Sequence, residues 1–341
     1  MSIHNPANSN GAAVVHFQRN PFLDQFSIEL LFASIRESMR ARGTQVQSKT
    51  VPYQSKGFWP RLANILWASR HQGRINHITG DIHYLALGLR RDRTILTIHD
   101  CYQLERLKGL KRWIMRVFWF DLPMRNSAIV TVISEEAKRQ LRRYVGVSAE
   151  RIVVVPDAVA PTFKPYPKRF NVDCPQILQI GTKPNKNIPR LIEAIKGLRC
   201  HLKIIGVLDR DQLRMLDRSG ISYDGDANLG EAAMYRAYCD ADVVCFASTY
   251  EGFGMPIIEA QWVERPVVTS NCSSMPEVAG DAACLVNPFS VTSIRAGLER
   301  VINDADYRGT LIERGRINRE RFSLTQVAGS YLSLYETLTQ T

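Results

Sequence analysis

At 341 residues, with 45% hydrophobic content and Gly and Pro spread along its length, the chain is too long for one ordinary core and suits two α/β domains. No apolar run approaches the roughly 20 residues that a membrane span needs, and Met1–Gly11 lacks the charged-then-apolar order of a signal peptide, so a cytoplasmic protein is expected. The net charge of +11 is lopsided: residues 1–170 hold 26 Lys and Arg against 12 Asp and Glu, and residues 171–341 hold 18 against 21.

A basic half of this kind suits nucleic acid, an anionic membrane face or a phosphorylated acceptor; no nucleic-acid module signature accompanies it, which disfavours the first. The seven cysteines are odd in number and form no C-x-x-C pair, so small core residues are expected rather than disulfides or zinc ligands.

In chain order, apolar runs alternate with helical patterns, the signal of parallel βαβ units. Strands are expected near Ala13–Gln18, Thr44–Val51, Ile75–Ile78, Thr94–His99 and Ala128–Ile133, with helices at Ser27–Arg42 and Trp59–His71 between them. His99 and Asp100 stand at a strand end, where an Asp beside an imidazole can orient it or a sugar hydroxyl. Lys111–Phe120 mixes cations with Trp113, Phe118, Trp119 and Phe120. That suits an interfacial helix; the simpler and preferred reading is a helix packed on its own sheet with its cations snorkelling. Ser134, Glu135 and Glu136 form a helix N-cap with early carboxylates before Ala137–Tyr144, and the strand Arg151–Val155 follows. The stretch Pro156–Pro175, with five prolines, reads as the hinge between halves, with a cleft expected between them.

The second half restarts the pattern. Strands are expected at Gln176–Ile180, His201–Gly206, Ile221–Tyr223, Val243–Thr249, Pro266–Ser270 and Ala283–Val286, with helices at Ile188–Leu198, Asp209–Arg218, Glu231–Cys239 and Pro256–Val263, and a helical remainder from Ser290. Neither half carries G-x-G-x-x-G after its first strand and no Walker sequence occurs, which leaves dehydrogenases and P-loop enzymes without support. Two segments instead carry chemistry. In Gly181–Asn187 a strand end gives a glycine turn, Lys183 and Lys186, and then a helix opening, so ammonium groups and N–H donors converge as an anion site. In Glu251–Glu259 two carboxylates flank a glycine-rich turn at the carboxyl end of a strand, the edge where open α/β sheets bind ligands. Glu251 precedes the helix and is placed to face a sugar; Glu259, one turn in, is placed to accept paired hydroxyls such as those of a ribose. Gly252 and Gly254 allow close backbone approach, and the loop Asn271–Glu277 is a candidate lining of the same pocket. Asp240-Ala-Asp242 and Asp304-Ala-Asp306 match a metal-binding D-x-D only superficially, because one enters a buried strand and the other a helix; no metal site is expected.

The ordered set I-G-T-K-P-N-K-N, D-A-D-V-V-C-F-A-S, E-G-F-G-M-P-I-I-E-A, P-V-V-T-S-N, S-S-M-P-E-V-A-G-D-A-A and V-N-P, preceded by T-I-H-D, V-I-S-E-E-A-K and V-V-V-P-D-A-V, resembles the retaining glycosyltransferases of family four over about residues 94 to 320. That resemblance implies the GT-B fold, two Rossmann-like parallel-sheet domains facing a cleft. Residues 1–160 would form the acceptor-side domain, 161–175 a linker and 176–322 the nucleotide-sugar domain, with 323–341 a helix packing back on the first domain. It also implies that Glu259 holds the ribose, that Glu251 and the backbone of Gly252, Phe253, Gly254 and Met255 contact the donor hexose, that Lys186 binds the diphosphate with Gly181, Thr182 and Lys183 beside it, and that His99 lines the sugar pocket. The implied activity is retaining, metal-independent and cofactor-free transfer of a hexose, of mannose or glucose type, from a UDP- or GDP-sugar to a glycan or lipid-linked acceptor in surface polysaccharide synthesis, in the cytoplasm or at the inner membrane face, with no nucleic acid partner. The alternatives are a non-catalytic nucleotide-sugar-binding protein and a GT-B epimerase or phosphorylase. Three departures stand out. Thr182 replaces the usual Arg after the loop glycine; the glycine pair after the first strand is replaced by Arg19–Phe26; and Glu264-Arg265 stands where the family usually has Gly, so that helix must end without its left-handed glycine.

Overall fold

A computed structural model describes residues 14–20, 27–101, 104, 107–146 and 151–340. The strand expected from Ala13 therefore begins, within the described residues, at Val14, and residues 21–26 of the loop after it lie outside them. The described chain forms two compact units. The first runs to Ile133, takes Lys138–Val155 and resumes at Ala328; the second is Ser134–Ala137 with Pro156–Val327. The division falls at Val155/Pro156, where the proline-rich stretch begins.

The first unit holds the strands β1 (Val14–Gln18), β2 (Val46–Thr50), β3 (Ile75–Ile78), β4 (Thr94–Ile98), β5 (Ile129–Val132) and β6 (Ile152–Val154). They form one parallel sheet in the order β2-β1-β3-β4-β5-β6. β1, β3 and β4 are buried along their whole length, on both faces, even at His16, Asn76, His77 and Thr97; β2, at the edge, buries only Val46 fully.

The second unit repeats the plan with β7 (Gln176–Ile180), β8 (His201–Ile205), β9 (Ser222–Asp226), β10 (Val243–Phe246), β11 (Val267–Ser270) and β12 (Cys284–Val286) in the order β12-β11-β10-β7-β8-β9. Ile177, Ile192, Leu202, Val243, Val268 and Leu298 are among the buried side chains of its core. All seven cysteines are free, and Cys200, Cys245 and Cys284 lie in that core. β9 extends past the expected Tyr223 because an edge strand with one neighbour tolerates a polar sequence: Lys203 on β8 pairs with Asp224 and, at 2.7 Å, with Asp226. β10 stops at Phe246, three residues before the expected Thr249, because the Thr249 amide donates to Asn185 O in a loop rather than to a neighbouring strand.

One further expectation is corrected, and one helix end closes by an unusual route. Lys111–Phe120 does not simply pack on its sheet. It lies in the helix Gly109–Met115 and the π-helical Arg116–Asp121; Trp119 and Phe120 are buried, but Trp113 and Phe118 are exposed. The helix Met255–Trp262 ends without glycine, as expected, and Glu264 itself takes the left-handed conformation at φ 63°. Arg265 N–H donates to Ala260 O at 2.8 Å and Glu264 N–H to Gln261 O at 3.2 Å, the paired bonds of a Schellman motif. The strain of a side chain in this conformation, roughly 1–2 kcal/mol, is offset by a two-point ion pair, since the Glu264 carboxylate accepts from Arg316 Nε at 2.9 Å and Nη2 at 2.8 Å. The Arg265 guanidinium is buried and satisfied by the carbonyls of Tyr238, Cys239 and Val263. Substitution by alanine removes the ion pair and keeps the strain, whereas glycine removes both. Glu264→Ala is therefore expected to lower the denaturation midpoint more than Glu264→Gly, by about 1 kcal/mol, reversing the ordinary Ala-over-Gly order; equal midpoints would refute the strain.

The segment from Ala328 is tied to the first sheet by buried rings. The Tyr335 hydroxyl lies 2.9 Å from His16 Nε2 and 2.7 Å from His77 Nδ1, and His77 Nε2 lies 2.7 Å from Thr97 Oγ1. Burial holds His77 down to about 3, with His99 adding to the effect, and burial and then His77 hold His16 well below the ordinary imidazole value. Between the ordinary value near 6.5 and these lowered values the unfolded chain binds protons that the folded chain refuses. Their contribution is whole above about pH 6.5 and is lost as the pH falls below it, at about 1.4 kcal/mol per pH unit for each ring. Denaturant melts of the first unit at pH 7.5 and 5.5 should separate accordingly, and less so in His77→Gln; a pH-independent melt would rule this out.

Candidate active site

The strand order of the second unit reverses between β7 and β10: the chain moves outward through β8 and β9, then returns to the other side of β7. At such a switch point the loops leaving two adjacent carboxyl ends diverge and open a crevice. These are the loops that carry Gly181–Asn187 and Glu251–Glu259, and the structure brings the two segments together. Lys186 Nζ contacts Glu251 Oε1 at 2.6 Å, with both side chains mostly buried, and the ammonium also sits 4.5 Å from the centre of the Phe246 ring.

Each segment is built for this. Gly181 has φ 84°, and a Cβ there would come within 2.9 Å of Lys186 Cε, so the glycine gives both the turn and the path for the lysine. Asn187 takes the left-handed conformation before the helix Ile188–Ile195. Its side chain donates to Ala247 O at 2.9 Å and Pro288 O at 2.7 Å. Asn185 donates to Tyr250 O at 3.0 Å and Glu251 Oε1 at 3.2 Å. Thr182 is occupied elsewhere: its hydroxyl donates to Val207 O at 2.6 Å, its carbonyl accepts from Gln212 at 2.8 Å, and its methyl fills the space beside Gly206. Lys183 is exposed at the rim.

The hydroxyls of Asn271–Glu277 go to the backbone of the carboxylate loop. Ser273 Oγ donates to Glu251 O at 2.6 Å, Ser274 Oγ donates to the same oxygen at 2.9 Å and contacts Phe253 O. Ser134, in the short Ser134–Ala137 segment of this unit, accepts from Ala137 N–H at 3.0 Å, as its N-cap reading expects, and donates to Gly252 O at 2.6 Å. The Phe253 side chain is buried against Phe322, with ring centroids 5.8 Å apart, so only its backbone is offered to a ligand. Gly254 has φ 122° and lies against Ile257, leaving little room for a Cβ. Met255, partly exposed, opens the helix Met255–Trp262.

Glu259 lies in that helix, where Tyr238 OH donates to its Oε2 at 2.6 Å. Burial pushes its carboxyl up to about 7; the Tyr238 hydrogen bond and the Lys186 charge pull the other way without overcoming it. Sequence reasoning placed Ser273 and Ser274 in the loop expected to line the pocket, but did not single out Asn185, inside the lysine loop, or Tyr238, in a separate helix. Asp242 of the first D-x-D accepts the N–H groups of Asn171 and Gln176 at 3.0 and 2.8 Å and pairs with Lys168; Asp304 of the second caps the helix Ala305–Asn318. Among the described residues no three His, Cys, Asp or Glu side chains gather as metal ligands.

His99 and Asp100 stand in the first unit, past the end of β4. The His99 ring is half-buried, with Nε2 3.1 Å from Thr79 O, and Asp100 is exposed. The first unit has its own switch point between β1 and β3, and a pocket of about 170 Å³ opens there, lined by Arg19, Asn20, Arg61, Asp81, Met115 and Trp119 among others. Trp119 Nε1 donates to Asp81, Arg61 lies 4.8 Å over the Trp119 ring, and Arg19 pairs with Glu29 at 2.6 Å.

Two six-stranded parallel sheets, with a cation and a carboxylate joined at the second switch point, define a glycosyltransferase of the GT-B fold. Residues 29–163 match the family model Glycosyltransferase Family 4 and residues 174–304 match Glycosyl transferases group 1; the chain belongs to this family. It is similar to O-antigen chain mannosyltransferase B of Escherichia coli, 27% identical over 278 residues, 73% of this chain and 71% of that one. It is also similar to the MMP alpha-(1->4)-mannosyltransferase of Mycolicibacterium hassiacum, 30% identical over 223 residues, 61% of this chain and 53% of that one. The fold matches a glycosyltransferase from Rickettsia africae, with a TM-score of 0.77 at 15% identity over 97% of this chain and all of that one. It also matches Anabaena HepE in complex with UDP and glucose, with a TM-score of 0.72 at 16% identity over 97% and 100%.

A carboxyl that titrates near 7 gives donor binding a pH dependence if it is the acceptor of two ribose hydroxyls. Below about pH 7 Glu259 carries a proton and loses acceptor capacity. The affinity for UDP or GDP, by calorimetry, should rise several-fold from pH 6 to pH 8 and lose that dependence in Glu259→Gln; a flat wild-type profile would remove Glu259 from the nucleotide site.

Proposed function

We propose that the chain transfers a hexose from a UDP- or GDP-sugar to a glycan or lipid-linked acceptor in surface polysaccharide synthesis, with retained anomeric configuration and with no metal or cofactor. The observation that carries this reading is the Lys186–Glu251 pair at the switch point, with Glu259 on the helix that follows the glycine turn. The mannosyltransferase relatives support a mannose-type donor.

The donor diphosphate draws Lys186 away from Glu251, since a dianion competes for the ammonium better than one carboxylate. The backbone N–H groups at the starts of Ile188–Ile195 and Met255–Trp262 add fixed positive potential, and Lys183 adds a rim charge in the place of the usual Arg. Once released, Glu251 stands beside the sugar, where a carboxylate favours the positive charge that develops at the anomeric carbon as the diphosphate leaves. Glu259 holds the ribose, with Tyr238 fixing one of its oxygens. In the first unit, the acceptor occupies the pocket of Arg19, Arg61, Asp81 and Trp119, whose ring and charged rim suit a glycan, and His99 and Asp100 are that unit's candidate sugar contacts.

The ion pair makes a prediction that a simple catalytic carboxylate does not. Glu251→Gln frees Lys186, so UDP or GDP should bind as tightly as in the parent or tighter, while transfer falls by at least about 10²-fold. Lys186→Ala should weaken nucleotide binding by about 1.5–3 kcal/mol. Near-full transfer by Glu251→Gln, or unchanged nucleotide affinity in Lys186→Ala, would overturn the assignment.

A further inference from the structure

Among the described residues the Glu251 carboxylate has two donors, and both reach the same oxygen: Lys186 Nζ lies 2.6 Å and Asn185 Nδ2 3.2 Å from Oε1. Oε2 accepts from neither. The two donors are mounted differently. Lys186 ends a flexible four-carbon stem that runs past Gly181, where the missing Cβ leaves it room. Asn185 is fixed to three successive residues of the facing loop: its carbonyl accepts the Thr249 N–H at 2.8 Å, and its amide donates to Tyr250 O at 3.0 Å as well as to Glu251. A primary amide carries two N–H bonds, so Tyr250 and Glu251 are served at once.

The Glu251 side chain is only 14% exposed. A carboxylate so placed is costly to leave without a donor, because water does not replace the lost bond. A diphosphate that draws off Lys186 would strand it unless a second donor stayed behind. Asn185 can stay: its amide is neutral and tethered to backbone, so a dianion competes for it less than for the ammonium.

We propose that Asn185 is a positioning residue for Glu251: as the donor diphosphate takes Lys186, the amide keeps Oε1 and leaves the open Oε2 to face the anomeric carbon. This rests on the reading of Lys186 as the diphosphate contact and of Glu251 as the carboxylate beside the sugar, and it adds the group that holds the carboxylate once its cation has gone. Without Asn185 the carboxylate resists release and, once released, has no fixed direction, so nucleotide affinity and turnover both fall.

The test is a double-mutant cycle on the full chain, read by calorimetric titration with UDP and GDP at pH 8, where Glu259, whose carboxyl is pushed up to about 7, is ionised. Asn185→Ala should weaken nucleotide binding at least about fivefold in the parent, where it strands a buried charge, and less than about twofold in Glu251→Gln, where it strands none. A loss through the Tyr250 bond or through a direct phosphate contact would be the same in both backgrounds. Asn185→Asp keeps the shape and sets an acceptor against Glu251. It should cost more than alanine in the parent and recover in Glu251→Gln, whose amide can donate to the new carboxylate. That pair carries the test should alanine loosen the loop, and melting midpoints are recorded for every chain. On whichever of GDP-mannose and UDP-glucose the parent turns over, Asn185→Ala should also lower kcat at saturating donor by at least about tenfold. Equal losses in the two backgrounds, no loss in the parent, or full kcat at saturation would each overturn the proposal. Near-full transfer by Glu251→Gln, or unchanged nucleotide affinity in Lys186→Ala, would overturn the reading beneath it and the proposal with it, a failure seen with Asn185 untouched.

Discussion

The second unit depends on one topological event, the return of the chain from β9 to the far side of β7. Lys186 and Glu251 are 65 residues apart in sequence, and no local rule pairs them. They meet because β7 and β10 are hydrogen-bonded neighbours, with Val243 opposite Ile177 and Val244 opposite Leu178, and because both loops leave the same edge. Asn185 and Asn187 then sew the loops together through the carbonyls of Tyr250 and Ala247. The pair is a consequence of strand order, and the asparagines make it rigid. The same reversal between β1 and β3 opens the pocket of the first unit, so one rule of parallel sheets positions both candidate sites.

Within the glycosyltransferase site the two carboxylates are held by opposite means. Glu251 is held by charge and amide donors and can be released by any stronger anion that takes Lys186. Glu259 is held by burial and one phenol, and burial raises its carboxyl against the pull of the Tyr238 hydrogen bond and the nearby lysine. A carboxylate of the first kind can change partner during a reaction. One of the second kind is a fixed reader whose protonation sets whether it reads at all.

Much of this was legible in the sequence because the signals were local. The alternation of apolar runs and helices gives two parallel α/β halves, Gly181 and Gly254 mark turns that need positive φ, and the nine residues from Glu251 to Glu259 mark a strand end and a helix start. What was not legible depends on long-range compensation. Glu264 breaks the glycine rule because Arg316, 52 residues on, stabilises it. Ser273 and Ser274 look like pocket hydroxyls but are consumed by the backbone of Glu251 and Phe253. Tyr238 sits in a separate helix with nothing in its neighbourhood to mark it. Lys111–Phe120 was ambiguous because periodicity shows that apolar faces exist without showing how many of them the core uses.

The distribution of charge separates two tasks that a single basic protein would confuse. If the surplus positive charge served to gather the anionic donor, it would lie in the half that holds the diphosphate loop, because steering weakens within about a Debye length, roughly 8–10 Å. Residues 171–341 instead hold fewer cations than anions, and the loop there offers Lys183 and Lys186 alone. In the proposed function, donor capture rests on short-range geometry: one nearly buried ammonium, two helix starts and a carboxylate to be displaced. The surplus belongs to the half that carries the arginine-lined pocket. In that reading a donor site built on contact geometry loses little affinity in salt, whereas attraction by the charge surplus of the first half falls with it.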